Sequence, residues 1–139
     1  MVTPASGATQ VTLVFGGRAS GREARIAAAL AAGSGMPEAP GTASTAVILE
    51  GLADAGSPLA AWQDAAAITI ARIAPGCLCC TGNLVLRVTL NRLLRQTPAR
   101  LFISLADASH LDTLKAWLLG APYQQLLTLG PDLVLDPQD

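Results

Sequence analysis

Three cysteines lie within four consecutive residues, Cys77-Leu78-Cys79-Cys80, and they are the only cysteines in this chain of 139 residues. A secreted disulfide framework spreads an even number of cysteines along its sequence, whereas an odd cluster indicates metal or redox chemistry. Thiolates are strong ligands for Zn²⁺, which prefers four ligands in a tetrahedral array. Cys77, Cys79 and Cys80 are therefore candidate metal ligands. The open fourth position suits a site that hands its metal on.

Two other interpretations of this cluster stay open. A free cysteine often serves as a small buried hydrophobic residue. The vicinal pair Cys79 and Cys80, or Cys77 with Cys79, could also form a redox-active disulfide. His110, the only histidine, is a candidate fourth ligand, because we expect it and the cysteines to follow the carboxyl ends of neighbouring strands. The alternative for His110 is a helix-cap or surface position.

A glycine-rich segment, Gly16-Gly17-Arg18-Ala19-Ser20-Gly21-Arg22-Glu23, follows a short apolar run and precedes helix-forming residues. A phosphate-binding P-loop has the pattern G-x-x-x-x-G-K-[ST] in that context. Here Arg22 replaces the lysine and Glu23 replaces the hydroxyl residue. A carboxylate about 4 Å from a phosphate costs on the order of 4 kcal/mol at an effective dielectric near 20. We therefore expect an empty turn, in which Glu23 lies in the first helical turn and interacts with the helix dipole. The candidate nucleotide-binding residues of this degenerate site are Gly16, Gly17, Gly21, Arg22 and Glu23.

The segment Gly76-Cys77-Leu78-Cys79-Cys80-Thr81 resembles the G-C-x-C-C-T motif of the CobW-type P-loop GTPases, a metallochaperone family related to HypB and UreG. The order of the segments is similar too, with the glycine turn first, the cysteines next and an apolar strand afterwards. The resemblance implies handling of Zn²⁺, or of cobalt, powered by GTP hydrolysis. It also implies that the three cysteines are the metal ligands.

The chain departs from this family at the nucleotide site. Besides Arg22 and Glu23, Ser104 stands where the family has an acidic residue, and Asp107 stands where it has a switch glycine. Glu50-Gly51 matches the family's Asn-Glu-Phe-Gly segment only in part. The sequence also ends before the lysine-aspartate motif that selects guanine. These departures predict a degenerate member with little or no GTP hydrolysis and argue against GTP with Mg²⁺ as a cofactor.

The leading hypothesis is a metal-binding member of the family that hydrolyses little or no GTP, and two alternatives to it stay open. One is a GTP- or ATP-binding protein with an atypical P-loop, in which Arg22 holds phosphate and Glu23 helps to hold Mg²⁺. The other is a non-catalytic interaction module that pairs with a full-length relative. Whether the chain is an enzyme is therefore left open by the sequence.

Strands and helices alternate in the pattern of residue types. Helices are predicted at 22–32, 59–66, 84–95 and 111–119, and strands at 11–15, 46–49, 68–73, 101–105 and 133–135. Such alternation predicts an α/β fold with a mostly parallel central sheet flanked by helices. The resemblance makes this a truncated P-loop-like three-layer sandwich. We expect a flexible lead at 1–9, a single domain at 10–139, and an open sheet edge that favours a protein partner or a homo-oligomer.

Composition excludes several classes of partner. The formal net charge is −1, charged residues make up 14% and aromatic residues 4%, so no basic or aromatic surface for nucleic acid is expected. No stretch approaches the roughly 20 apolar residues of a membrane span. The first ten residues contain no basic residue and no apolar core, so no secretory signal is predicted. A cytoplasmic location is the resulting expectation.

Overall fold

The structure, a computed structural model, describes residues 9–34, 45–50, 59, 68–73, 84–96, 98–105, 111–120 and 123–136, without the side chains of 32–34, 84–85 and 124. The strands are β1 Thr9–Gly16, β2 Thr45–Glu50, β3 Ile68–Ile73, β4 Arg100–Leu105, β5 Leu127–Leu129 and β6 Leu133–Leu135. The helices are α1 Ala19–Ser34, α2 Leu84–Leu94 and α3 Leu111–Leu118, and a 3₁₀ turn spans Tyr123–Gln125.

All the predicted strands are confirmed, and so are the helices that correspond to α1, α2 and α3. The helix predicted at 59–66 lies outside the described residues except for Leu59. β1 begins at Thr9, the last residue assigned to the flexible lead. β5 was not predicted, because three residues are too few for an alternating pattern to stand out from the loop around them.

The sheet has the strand order β3-β2-β4-β1-β5, and β6 also pairs with β1. Every described pairing is parallel, which agrees with the predicted architecture. The inner strands β2 and β4 are almost entirely buried, as strands covered on both faces must be. Within the described residues, β3 pairs only with β2 and forms one end of the sheet.

Helices cover both faces of the sheet and give it three layers. On one face, Ile26 and Leu30 of α1 pack against Val14, Val47, Leu49, Phe102 and Leu135. On the other face, α2 and α3 pack against alternate residues of the same strands, through Leu86, Leu90, Leu93, Leu114 and Leu118. The connection through α1 crosses the sheet in the opposite direction to those through α2 and α3. Right-handed crossovers running in opposite directions put their helices on opposite faces.

One expectation about neighbouring strands is wrong. The cysteine segment follows β3 and His110 follows β4 in the sequence, but β2 lies between these two strands and pairs with both. Their carboxyl ends are therefore separated by two strand spacings, about 10 Å. The proximity argument for His110 as a fourth ligand is weaker than the sequence suggested.

No helix in the described part of the chain combines the length and the apolar character needed to cross a membrane.

Candidate functional site

The turn between β1 and α1 is shorter than the sequence pattern suggests. α1 begins at Ala19 instead of Arg22, and the backbone N–H of Arg22 already donates to the Arg18 carbonyl at 2.9 Å. Gly21 therefore lies inside the helix and does not frame a phosphate loop. Glu23 lies beyond the first helical turn, so its expected interaction with the helix dipole is wrong. Alanine at position 19 is a strong helix former, which explains the early start.

Gly16 and Gly17 make this short turn possible. Their φ angles are 91° and 60°, values that residues other than glycine rarely adopt. A Cβ atom at Gly16 would also clash with the backbone carbonyl oxygen of Leu135 in the neighbouring strand β6. The sequence therefore needs glycine at position 16 for two separate reasons.

The Arg22 guanidinium closes the turn from inside the protein. Arg22 Nε donates to Ser104 Oγ at 2.9 Å, and Nη1 donates to the carbonyl oxygens of Gly16 and Gly17 at 3.3 Å each. Arg22 is only 4% exposed and Ser104 only 2%. The cation at the position of the P-loop lysine is thus engaged with this chain's own oxygen atoms.

Glu23 forms an ion pair with Arg72 of β3. Arg72 Nη1 lies 3.1 Å from Glu23 Oε2, and Nη2 donates to Oε1 at 3.3 Å. The two side chains are 18% and 7% exposed for Arg72 and Glu23 respectively. The fork-to-fork geometry gives each carboxylate oxygen its own donor, which strengthens a charge-assisted hydrogen bond. This pair fastens the start of α1 to the end strand of the sheet.

Glu50, the last residue of β2, is buried and adds a second carboxylate. Burial lowers the pKa of the Arg22 guanidinium, while the negative charges of Glu50 and then Glu23 act in the opposite direction. A guanidinium keeps its proton under such shifts. The two positive charges of the arginines in this region thus balance the two negative charges of the glutamates. We call Arg22, Glu23, Glu50, Arg72 and Ser104 the buried ion network.

Strand order explains why these residues meet. Leu49 lies in register with both Arg72 and Ser104, and Ser104 lies in register with Val14, just before the glycine turn. Side chains in register on parallel strands share a face, here the face covered by α1. The connections after β1 and β4 leave in opposite directions, and such a switch point at the carboxyl ends of strands is where open α/β sheets bind ligands.

At this switch point the chain places its own balanced charges. A phosphate in the turn would add negative charge beside Glu23 and Glu50. It would also have to draw Arg22 away from the oxygen atoms that it now contacts. The arrangement is therefore suited to holding the turn, α1 and the sheet together, and poorly suited to binding a nucleotide.

The candidate metal ligands Cys77, Cys79, Cys80 and His110 lie outside the described residues. The cysteines belong to the connection between β3, which ends at Ile73, and α2, which begins at Leu84. Within the described residues no group of three metal-binding side chains occurs. The metal site therefore stays a prediction from the sequence.

Arg72 was missed as a member of this site, and Ser104 was named only as a departure from the family's acidic residue. Arg72 is the only charged residue in a strand that is otherwise apolar or small, and Ser104 is the only hydroxyl residue in its strand. Both precede the carboxyl ends of their strands. A polar residue near the carboxyl end of an apolar strand was the signal that could have found them. The carboxyl ends of parallel strands meet at one edge of the sheet, where ligands bind.

Comparison with protein-family models, curated proteins and solved structures finds no match to this chain.

Proposed function

We propose that this chain is a metal-binding protein of the metallochaperone type, which holds Zn²⁺ or Co²⁺ on Cys77, Cys79 and Cys80 and hydrolyses little or no GTP. The metal ion is its cargo. A reducing cytoplasm, which keeps such thiols free, is the location that this chemistry requires.

The observation that supports this proposal best is the position of the Arg22 guanidinium. It contacts Ser104 and the carbonyl oxygens of the glycine turn at 2.9–3.3 Å. A P-loop lysine acts by reaching the phosphates of a nucleotide. Because Arg22 instead holds the turn itself, its position supports the absence of GTP hydrolysis, while the proposed metal ligation rests on the cysteine motif of the sequence.

The donor set suits the proposed cargo. Thiolate sulfur is a soft ligand that selects Zn²⁺ over hard cations such as Mg²⁺ and Ca²⁺. Three thiolates from one short segment leave one coordination position of a tetrahedral ion to another group. Such a position can accept a ligand from a recipient protein, which suits transfer better than permanent storage.

Binding through thiolates makes the affinity depend on pH. A cysteine thiol has an ordinary pKa of about 8.5 and must lose its proton to bind the metal. Each cysteine that binds the metal as a thiolate therefore releases its thiol proton at neutral pH. The proposal predicts that zinc affinity falls as the pH is lowered, and that acidification releases the metal.

A competition titration tests the proposal. The reduced protein is titrated with Zn²⁺ against a chromogenic chelator, beside a variant in which Cys77, Cys79 and Cys80 are all serine. We expect one-to-one binding in the parent chain that is lost in the variant. Equal weak binding by both would refute the proposal and leave the interaction module as the better explanation.

Two further measurements sharpen the result. His110→Ala is expected to weaken binding if histidine supplies the fourth ligand, and to leave it unchanged if a water molecule or a recipient does. The titration is then repeated with GTP and Mg²⁺. An unchanged zinc affinity agrees with a turn that does not bind nucleotide, whereas a clear change would restore the GTPase interpretation.

A further inference from the structure

One exposed side of α2 and of the turn that follows it carries arginines that form no ion pair within the described residues. Arg87, Arg92 and Arg95 are exposed together with Asn91, and Val88 among them is 56% exposed. At about 100° per residue, these five residues occupy a sector of about 140° of the helix, opposite the buried leucines. We call this surface the arginine face, defined by Arg87, Val88, Asn91, Arg92 and Arg95.

No acidic side chain in the described part of the chain forms an ion pair with the arginines of this face. The sequence contains no aspartate or glutamate from residue 65 to residue 106. In the described part of the chain, the ion pairs involve Arg72 and Lys115 and none of the arginines of this face. The face thus retains three positive charges that a carboxylate-bearing surface would complement.

The helix dipole does not account for all three arginines. Arg92 and Arg95 lie near the carboxyl end of α2, where positive charge is favourable, but Arg87 lies in the first turn, where it is unfavourable. Arg87 is held by a neighbour instead, since its Cζ lies 5.9 Å from the centroid of the Trp117 ring. A cation at that distance above an indole is attracted by the ring.

Two residues of the face are held in place by elements beneath them. The Trp117 ring that contacts Arg87 packs against Tyr123, with ring centroids 4.8 Å apart. Tyr123 in turn donates a hydrogen bond to Asn91 Oδ1 at 2.9 Å. A surface whose polar groups are already oriented loses less side-chain entropy on binding.

We propose that the arginine face is a docking surface for an acidic segment of another protein, a helix with carboxylates on both sides of one apolar residue. Arginine forks bind carboxylates through two parallel hydrogen bonds, and all three cations here are arginine. The exposed Val88 between them provides a contact that a phosphate backbone would not use. One valine is also too little apolar surface to insert into a lipid bilayer.

The test uses the full chain and a fluorescein-labelled helical peptide with glutamates on both sides of a single leucine. Fluorescence anisotropy measures binding to the parent protein and to Arg92→Gln/Arg95→Gln. The matched control is Arg18→Gln/Arg25→Gln, which removes the same charge from two exposed arginines, one just before α1 and one within it. We expect the first variant to bind about tenfold more weakly or worse and the control to bind as the parent does. Val88→Asp should also abolish binding, and rising salt should weaken it.

The opposite results are equally clear. The proposal is overturned if the peptide does not bind the parent protein, if both double variants lose the same affinity, or if a peptide with glutamine for glutamate binds equally well. Tighter binding to duplex DNA or to phosphatidylserine vesicles would overturn the choice of a protein partner. Sedimentation of the protein alone shows whether Arg92→Gln/Arg95→Gln removes self-association, in which case the occupant is a second copy and not an acidic partner. All the substituted residues are exposed, so thermal unfolding should be nearly unchanged.

Discussion

The glycine turn depends on single residues whose roles are different. Gly16 combines a φ angle of 91° with a close approach to the Leu135 backbone, whereas Gly17 has only an unusual φ angle, of 60°. Arg22 supplies the cation that holds both carbonyl oxygens of the turn. The turn is thus specified by the conformational freedom of the two glycines and by the charge of Arg22.

Gly16→Ala is expected to destabilise the protein strongly. The left-handed φ angle alone costs a residue with a side chain about 1–2 kcal/mol, and the clash with Leu135 adds to this because a backbone atom in a paired strand cannot move easily. Gly17→Asn is the matched control, since asparagine tolerates a φ angle near 60°. Urea unfolding should show a large decrease in the free energy of unfolding for Gly16→Ala and a small decrease for Gly17→Asn. Equal losses would mean that the contact with β6 is unimportant.

Tyr123 is the only tyrosine, so its ionisation can be followed directly. Burial raises the pKa of Tyr123, and the positive charge of Arg87 acts in the opposite direction. The folded state therefore holds the phenol proton more tightly than the unfolded state does. In the unfolded state the pKa of tyrosine is about 10. This difference adds to the free energy of unfolding. The contribution is fully present below about pH 10 and is lost as the pH rises through the pKa of Tyr123 in the folded protein. Tyrosinate absorbance should show a higher midpoint in the folded protein than in urea, and an equal or lower midpoint would contradict this.

At the scale of helices and strands, the Glu23–Arg72 pair joins α1 to β3. These elements are not neighbours in the sequence, and β2 supplies the pairing that brings β3 into the sheet. Arg72 also lies five residues before Cys77 in the chain. The pair therefore fixes the strand from which the cysteine segment departs.

Glu23→Gln is expected to lower the free energy of unfolding by about 1.5–3 kcal/mol, because it leaves a mostly buried Arg72 without its charged acceptor. Asp112→Asn is the control, since Asp112 is an exposed acidic residue in the first turn of α3 and should cost about 1 kcal/mol or less. Urea unfolding of both variants checks the difference. A loss at Glu23 no larger than at Asp112 would show that the pair contributes little.

Local patterns were enough to predict most of the elements but not the contacts between them. Apolar runs such as 101–105 and the leucine stripe of α2 define strands and helices by their own periodicity. Strand order cannot be obtained in this way, and so β2 was not expected between β3 and β4. The start of α1 was missed because the P-loop pattern suggested a long turn, whereas Ala19 and Ser20 continue the helix. The partners of Arg22 and Glu23 come from β4 and β3, and only the sheet register reveals them.

For the whole molecule, the near-neutral total charge conceals an uneven distribution. Two arginines and two glutamates balance at the switch point of the sheet, while the three arginines of the arginine face stay exposed. The first arrangement opposes an anionic ligand, and the second would attract an acidic one. This distribution favours the binding of an acidic partner over the binding of a nucleotide.

We expect the protein not to bind GTP or ATP with Mg²⁺ at millimolar concentrations. The reason is that Arg22 is already engaged and that Glu23 and Glu50 would repel the phosphates. Isothermal titration calorimetry checks this directly. Saturable binding that weakens in Arg22→Ala, in a variant shown to be folded by its thermal transition, would contradict the account of the glycine turn.

The most direct test of thiolate metal binding is the absorption spectrum of the reduced protein loaded with Co²⁺. Cobalt substitutes for zinc, and sulfur-to-cobalt charge-transfer bands appear only when thiolates bind the ion. The account predicts such bands in the parent protein, their decrease on titration with Zn²⁺ as zinc displaces cobalt, and their absence when Cys77, Cys79 and Cys80 are serine. A spectrum without these bands in the reduced parent protein would contradict the central claim.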